Sequence, residues 1–219
     1  MIMLALNASL TIAQAKYDTI PNVPDHYLLM TEKFGREPAA KKPVTIFLGN
    51  SITEGGNWKK LLKDSSIMNR GISGDNTFGV LKRLPEITRH KPARLYLLIG
   101  VNDLSKNIPN DIVIENIFSI VSRIHAASPK TRIFVHSILP VNPEVQGFMI
   151  RFNKPADIVE INGQLKKYQE ALKYTFINIH QEFSDEKQRL DSRYTNDGLH
   201  LNGVGYQHWV DFLKKNKYI

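Results

Sequence analysis

The chain contains no cysteine. Disulfides, Cys-ligated zinc and a thiol nucleophile are excluded with it; the compartment is not, because many exported proteins also lack cysteine. No apolar run approaches the roughly 20 residues that a membrane-spanning helix needs. Internal repeats and low-complexity tracts are missing, as are the His-x-x-x-His and His-Glu-x-x-His spacings that would imply a metal. Acidic residues are in deficit: 29 Lys and Arg face 21 Asp and Glu, a formal net charge of +8. Such a balance can accompany binding to nucleic acid or an anionic surface. Here the basic residues are scattered, with pairs such as Lys41-Lys42 and Lys214-Lys215 near segment ends, and no RNA- or DNA-binding motif goes with them. The surplus reads as solvated surface charge, and no nucleic-acid partner is expected.

What is present is an ordinary globular composition, with 42% hydrophobic and 23% charged residues in 219 positions. That length suits one domain, or one domain with a short arm, and a sizeable core. Residues 1–15, MIMLALNASLTIAQA, have an apolar stretch followed by Ala13-Gln14-Ala15, a small-x-small cleavage pattern. The positively charged start of an export signal is missing. The segment reads as part of such a signal or as an arm, and export to a periplasmic or secreted location is expected ahead of a cytoplasmic one. Residues 16–43 are interrupted by Pro21, Pro24, Pro38 and Pro43, and Tyr27 to Met30 suit a short helix packed on the domain.

From Val44 strands and helices alternate. Val44–Leu48 and Leu95–Ile99 are short apolar runs, as expected of strands buried on both faces. Ile67-Met68, Ile133–Leu139 and Phe176–Ile179 read as three more. Helical patterns fall at Trp58–Leu62, from Thr77, at Ile112–Ala127, at Ile158–Leu172 and at Gly203–Lys215; Pro85 is expected to end or kink the second. This alternation implies a parallel sheet covered on both faces with right-handed crossovers, spanning residues 44–219. Ligands of such sheets bind outside the carboxyl ends of the strands.

Four polar motifs fall at those ends. Gly49-Asn50-Ser51-Ile52 follows the first strand directly and can present a serine hydroxyl at the top of the sheet; Gly49 would allow a sharp turn. A strand-to-helix turn with a capping serine would read the same way. Asn69 to Thr77 contains two glycines, Gly71 and Gly74, before a helix: a backbone N–H close to a ligand, or a tight turn with an Asp or Asn cap. Gly100-Val101-Asn102-Asp103 follows the second apolar strand. The Asn102 amide is a neutral donor that can face an oxyanion, while Asn-Asp is also common in plain turns. Asp197-Gly198-Leu199-His200 puts a carboxylate three residues ahead of an imidazole, a spacing that can fix the tautomer and leave Nε2 free to take a serine proton.

In order and content the four motifs resemble the blocks of the SGNH hydrolases, also called GDSL esterases and lipases, over about Val44 to Tyr218. Asn50 stands where that family often has Asp, and Ile52 where it has Leu; Arg70–Asp75 and Asp197–Asn202 look like the branch that includes platelet-activating-factor acetylhydrolase-like subunits and carbohydrate O-acetylesterases. The resemblance implies a three-layer α/β/α sandwich with a mostly parallel five-stranded, flavodoxin-like sheet. It implies Ser51 as nucleophile, His200 as general base, Asp197 as its orienting partner, and Ser51, Gly74 and Asn102 as the oxyanion hole. It implies no cofactor and no metal, and a small-molecule or glycan ester as substrate, with short acyl groups such as O-acetyl on carbohydrate preferred. A lysophospholipase or thioesterase use of the same site, and a non-catalytic carbohydrate-binding use of the fold, are the competing readings. Trp58 is expected in the core. His26, His90, His125, His136, His180 and His208 are expected in surface or packing roles. The connection 140–156 is long enough to be functional, and Arg151, Phe152 and Asn153 would either shape a pocket or lie on a surface loop.

Overall fold

A computed structural model describes residues 17–219, so segment 1–15, read above as part of an export signal or as an arm, lies outside the described residues. Five strands form one parallel sheet: β1 (Thr45–Gly49), β2 (Ile67–Gly71), β3 (Arg94–Leu98), β4 (Arg132–His136) and β5 (Thr175–Ile177). Their order across the sheet is β2-β1-β3-β4-β5. The chain therefore steps from β1 to β2 on one side and crosses back to β3 on the other. That reversal opens a crevice between the carboxyl ends of β1 and β3, the place where open α/β sheets bind ligands.

The side-chain alternation of the strands sorts the core into two faces. Phe47, Tyr96 and Phe134 are register partners on neighbouring strands, and their rings stack in a row at 4.7 Å centroid spacings. Helices α3 (Trp58–Leu62) and α9 (Gly203–Lys215) cover that row; Trp58 stacks on Phe47 at 4.2 Å and meets Trp209 edge-on at 5.0 Å. Trp58 is thus a core residue, as expected. The alternate residues Ile46, Leu48, Leu95, Leu97, Ile133 and Val135 are equally buried. Helices α4 (Thr77–Thr88), α6 (Asn110–Ala127) and α7 (Pro155–Lys167) pack in sequence, α4 on α6 and α6 on α7. Three further helices are short: α2 (Ser51–Glu54), α5 (Val101–Ser105) and α8 (Ile179–Glu182). Among the described residues no helix is long and apolar enough to cross a membrane.

Several boundaries differ from the sequence expectation. Pro85 does not end α4, which continues to Thr88. The proline removes the bond to the carbonyl four residues back, but it sits on the exposed face, where water replaces the donor. Pro24 does not interrupt a helix but starts one: it stands in the first turn of α1 (Pro24–Arg36), where the missing N–H costs nothing. This helix is longer than the Tyr27–Met30 stretch and docks Tyr27 and Phe34 against Ile72. α7 stops at Lys167 rather than Leu172, and β4 ends at His136 rather than Leu139. Ile179 belongs to α8, not to β5.

Candidate active site

The first motif shows which of its polar side chains caps the helix. Asn50 is the N-cap of α2: its Oδ1 accepts the Ile52 N–H at 3.0 Å. The capping duty is therefore taken, and the hydroxyl of the next residue is free. Ser51 Oγ lies 2.9 Å from His200 Nε2. Gly49 serves the site by close approach, not by a turn. It is the last residue of β1, and a Cβ there would lie 2.2 Å from the Leu98 carbonyl oxygen and 2.3 Å from Thr53 Oγ1. Trp58 and Tyr206 brace α2 from outside, the indole donating to the Thr53 carbonyl at 2.8 Å and the phenol to the Ile52 carbonyl at 2.7 Å.

Asp197 uses both carboxylate oxygens on its own loop. Oδ2 lies 2.7 Å from His200 Nδ1, while Oδ1 accepts the backbone N–H groups of His200 at 2.8 Å and Leu199 at 2.9 Å. Partial burial works against the charged form, but these three donors outweigh it and hold the Asp197 carboxyl below the usual carboxylate range. A carboxylate at Nδ1 places the imidazole proton there and leaves Nε2 as acceptor toward Ser51. The pair stays open to solvent, with side-chain exposures of 38% for His200 and 41% for Asp197. The 140–156 connection buttresses this loop: the Asn142 N–H donates to the Gly198 carbonyl at 2.8 Å. Phe152, however, points into the core, whereas Arg151 and Asn153 are exposed, so the three do not form one pocket wall.

Gly74 and Asn102 are brought together from the other two motifs. Gly74 has φ +79°, and a Cβ on it would meet the Val23 backbone nitrogen at 2.6 Å, so both conformation and space require glycine. Asn102 is not in a plain turn; it lies in the first turn of α5, buried, with Nδ2 donating 2.7 Å to the Asp75 carbonyl next to Gly74. Asp75 itself is fully buried and paired with Arg83 at 2.9 Å. Asn76 caps α4, accepting the Gly79 N–H at 2.9 Å, so the tight turn and its cap coexist with a placement beside Asn102.

Sequence reasoning missed three groups here. Asn22, ahead of α1, donates from Nδ2 to Asn102 Oδ1 and to Ser105 Oγ, each at 3.2 Å. Glu54, one turn after Ser51, accepts the Ser73 N–H at 2.6 Å and the Ser73 hydroxyl, and faces His26 Nε2 at 2.9 Å. Asp103 accepts the Thr77 hydroxyl at 2.6 Å from behind the site. Glu54 had a readable signal, its i+3 spacing from Ser51 on one helix; Asn22 had none in its proline-broken surroundings.

A hydroxyl, an imidazole and a carboxylate in series at the rim of a parallel sheet define the class of serine-type hydrolases. Residues 47–208 match the GDSL-like lipase/acylhydrolase family, and the chain belongs to that family. It is an ester-hydrolysing enzyme with the α/β fold of that family. Among curated relatives it is 24% identical over 191 residues to the rat platelet-activating factor acetylhydrolase IB subunit alpha1, covering 82% of this chain and 77% of the relative. It is likewise 24% identical to the human alpha2 subunit over 193 residues, 83% of this chain and 79% of the relative. Of solved structures, a GDSL-like lipase from Bacteroides thetaiotaomicron superposes with a TM-score of 0.73 at 27% identity, over 88% of this chain and 98% of that one. An acetyl xylan esterase shares the fold at 16% identity and a TM-score of 0.65, over 78% and 98% of the two chains.

Proposed function

We propose that the enzyme hydrolyses short-chain acyl esters through an acyl-enzyme on Ser51, with O-acetyl groups on carbohydrate as its substrate class. The observation that carries this reading is the unbroken series Ser51 Oγ, His200 Nε2, His200 Nδ1, Asp197 Oδ2, with contacts of 2.9 and 2.7 Å. His200 Nε2 takes the Ser51 proton as Oγ attacks the ester carbonyl. The oxyanion is met by the backbone N–H groups of Ser51 and Gly74 and by the Asn102 amide, which has a second N–H beyond the one given to Asp75. His200 returns the proton to the departing alcohol. It then deprotonates a water that attacks the acyl-enzyme, releasing the acid and restoring the Ser51 hydroxyl.

The exposure of the site supports a large alcohol. The half-exposed His200 and Asp197 let the alcohol portion remain outside the protein, as a sugar chain requires. The relatives named as acetylhydrolases agree with the acyl size.

Ser51→Ala is expected to lower turnover of an aryl acetate by several orders of magnitude and to abolish labelling by an organophosphonate. Near-full turnover in that variant would refute the acyl-enzyme. A series of aryl esters from acetyl to octanoyl is expected to show kcat/KM falling with chain length. A rising series would favour the lysophospholipase or thioesterase reading.

A further inference from the structure

The stretch ahead of α1 lies before residue 47, where the family match begins, yet it reaches the residues assigned above to the oxyanion. The Asn22 N–H donates to the Gly74 carbonyl at 2.8 Å. Its side-chain Nδ2 bridges Asn102 Oδ1 and Ser105 Oγ, and the Ser105 hydroxyl donates onward to the Asn102 carbonyl at 2.8 Å. Asn76 Nδ2 donates at 3.0 Å to the Thr19 carbonyl, which pins the same stretch from the other side.

A carboxamide has two ends of nearly equal size and opposite polarity. Turned over, Asn102 would aim lone pairs where an oxyanion forms and face the Asp75 carbonyl with another oxygen. The Asp75 carbonyl gives the nitrogen end an acceptor at 2.7 Å; Asn22 gives the oxygen end a donor at 3.2 Å. The two contacts together leave one orientation, with the remaining N–H available to the substrate.

We propose that Asn22 is a positioning residue for ester hydrolysis: it fixes the Asn102 carboxamide with its N–H presented to the oxyanion and so makes the N-terminal stretch part of the catalytic apparatus. This rests on the reading of Asn102 as an oxyanion donor. Asn22 acts through Asn102 and touches no reacting atom.

The test is a double-mutant cycle on the full chain with an aryl acetate, rates being expressed per Ser51 titrated with an organophosphonate. Asn22→Asp keeps the side-chain shape and the backbone bond to Gly74 but replaces the donor with an acceptor; Asn22→Ala removes it. Each is expected to lower kcat about tenfold, the worth of one neutral hydrogen bond, with KM within about twofold of the parent. In an Asn102→Ala background neither should slow the enzyme further. A merely structural role would change the melting temperature and the titratable fraction, and would cost the same in both backgrounds; that result overturns the proposal. Unchanged kcat in Asn22→Asp, with Asn102→Ala slowed, overturns it while sparing Asn102. Full turnover in Asn102→Ala removes Asn102 from the hole and the proposal with it. If Asn22→Ala does not fold, Asn22→Asp alone decides.

Discussion

Asp197 divides its two oxygens between different partners: one serves the imidazole, and the other accepts two backbone N–H groups and the Thr195 hydroxyl of its own loop. An amide at this position can satisfy one side or the other, not both, because its nitrogen end donates. Asp197→Asn is therefore expected to leave the loop folded but to present an N–H to Nδ1, driving the imidazole proton to Nε2, where it can no longer accept from Ser51. Steady-state kinetics should show kcat down by roughly 10⁴. Asn102→Ala, which removes a donor and leaves the base intact, should cost about 10²–10³. These residues were legible in the sequence because each motif is local: Asp197 and His200 share one loop, and Asn102 follows a strand whose apolar run is unmistakable. Asn22 was illegible because its partner lies 80 residues away and nothing in its own surroundings marks it. The choice between Asn50 and Ser51 as helix cap needed coordinates too, since both are good caps.

At the scale of elements, one side chain of α4, Arg83, reaches the ends of two strands. Arg83 donates from Nε to Asp75, and from its terminal nitrogen to the carbonyls of Gly49 at 3.1 Å and Arg70 at 2.9 Å, the ends of β1 and β2. Burial pushes the Asp75 carboxyl up to about 6 in spite of the opposing Arg83 charge. Arg83→Met would leave that carboxylate buried without its counter-charge, at a cost of about 3–5 kcal/mol at pH 8 in denaturant unfolding. The cost should shrink near pH 5, because protonating Asp75 removes the stranded charge. The pattern of strands and the helix Gly203–Lys215 were readable from periodicity alone. Element ends were not. A proline breaks a helix only where its missing donor is needed, and neither the exposed face of Pro85 nor the first-turn position of Pro24 is encoded in local hydrophobicity.

Across the whole molecule, two buried groups move stability in opposite directions with pH. His136 is enclosed between Tyr96 and Trp209, and burial pushes its pKa down to about 3. A histidine depressed from 6.5 stabilises the fold when neutral, and that contribution is lost as pH falls from about 6.5 toward 3. Asp103 runs the other way. Burial pushes it up from 3.8 to about 7, with the Thr77 hydrogen bonds opposing. Its contribution is present below about 3.8 and lost as pH rises through 7, since the unfolded chain ionises it freely. The two slopes oppose between these limits, so the wild-type stability curve alone does not separate them, but single substitutions do. Asp103→Asn keeps an oxygen for the Thr77 N–H and removes the titration. Denaturant unfolding should find this variant gaining on the wild type by roughly 2–4 kcal/mol between pH 5 and pH 8. A difference that stays constant over that interval would mean that Asp103 ionises in the folded protein as easily as in the unfolded chain.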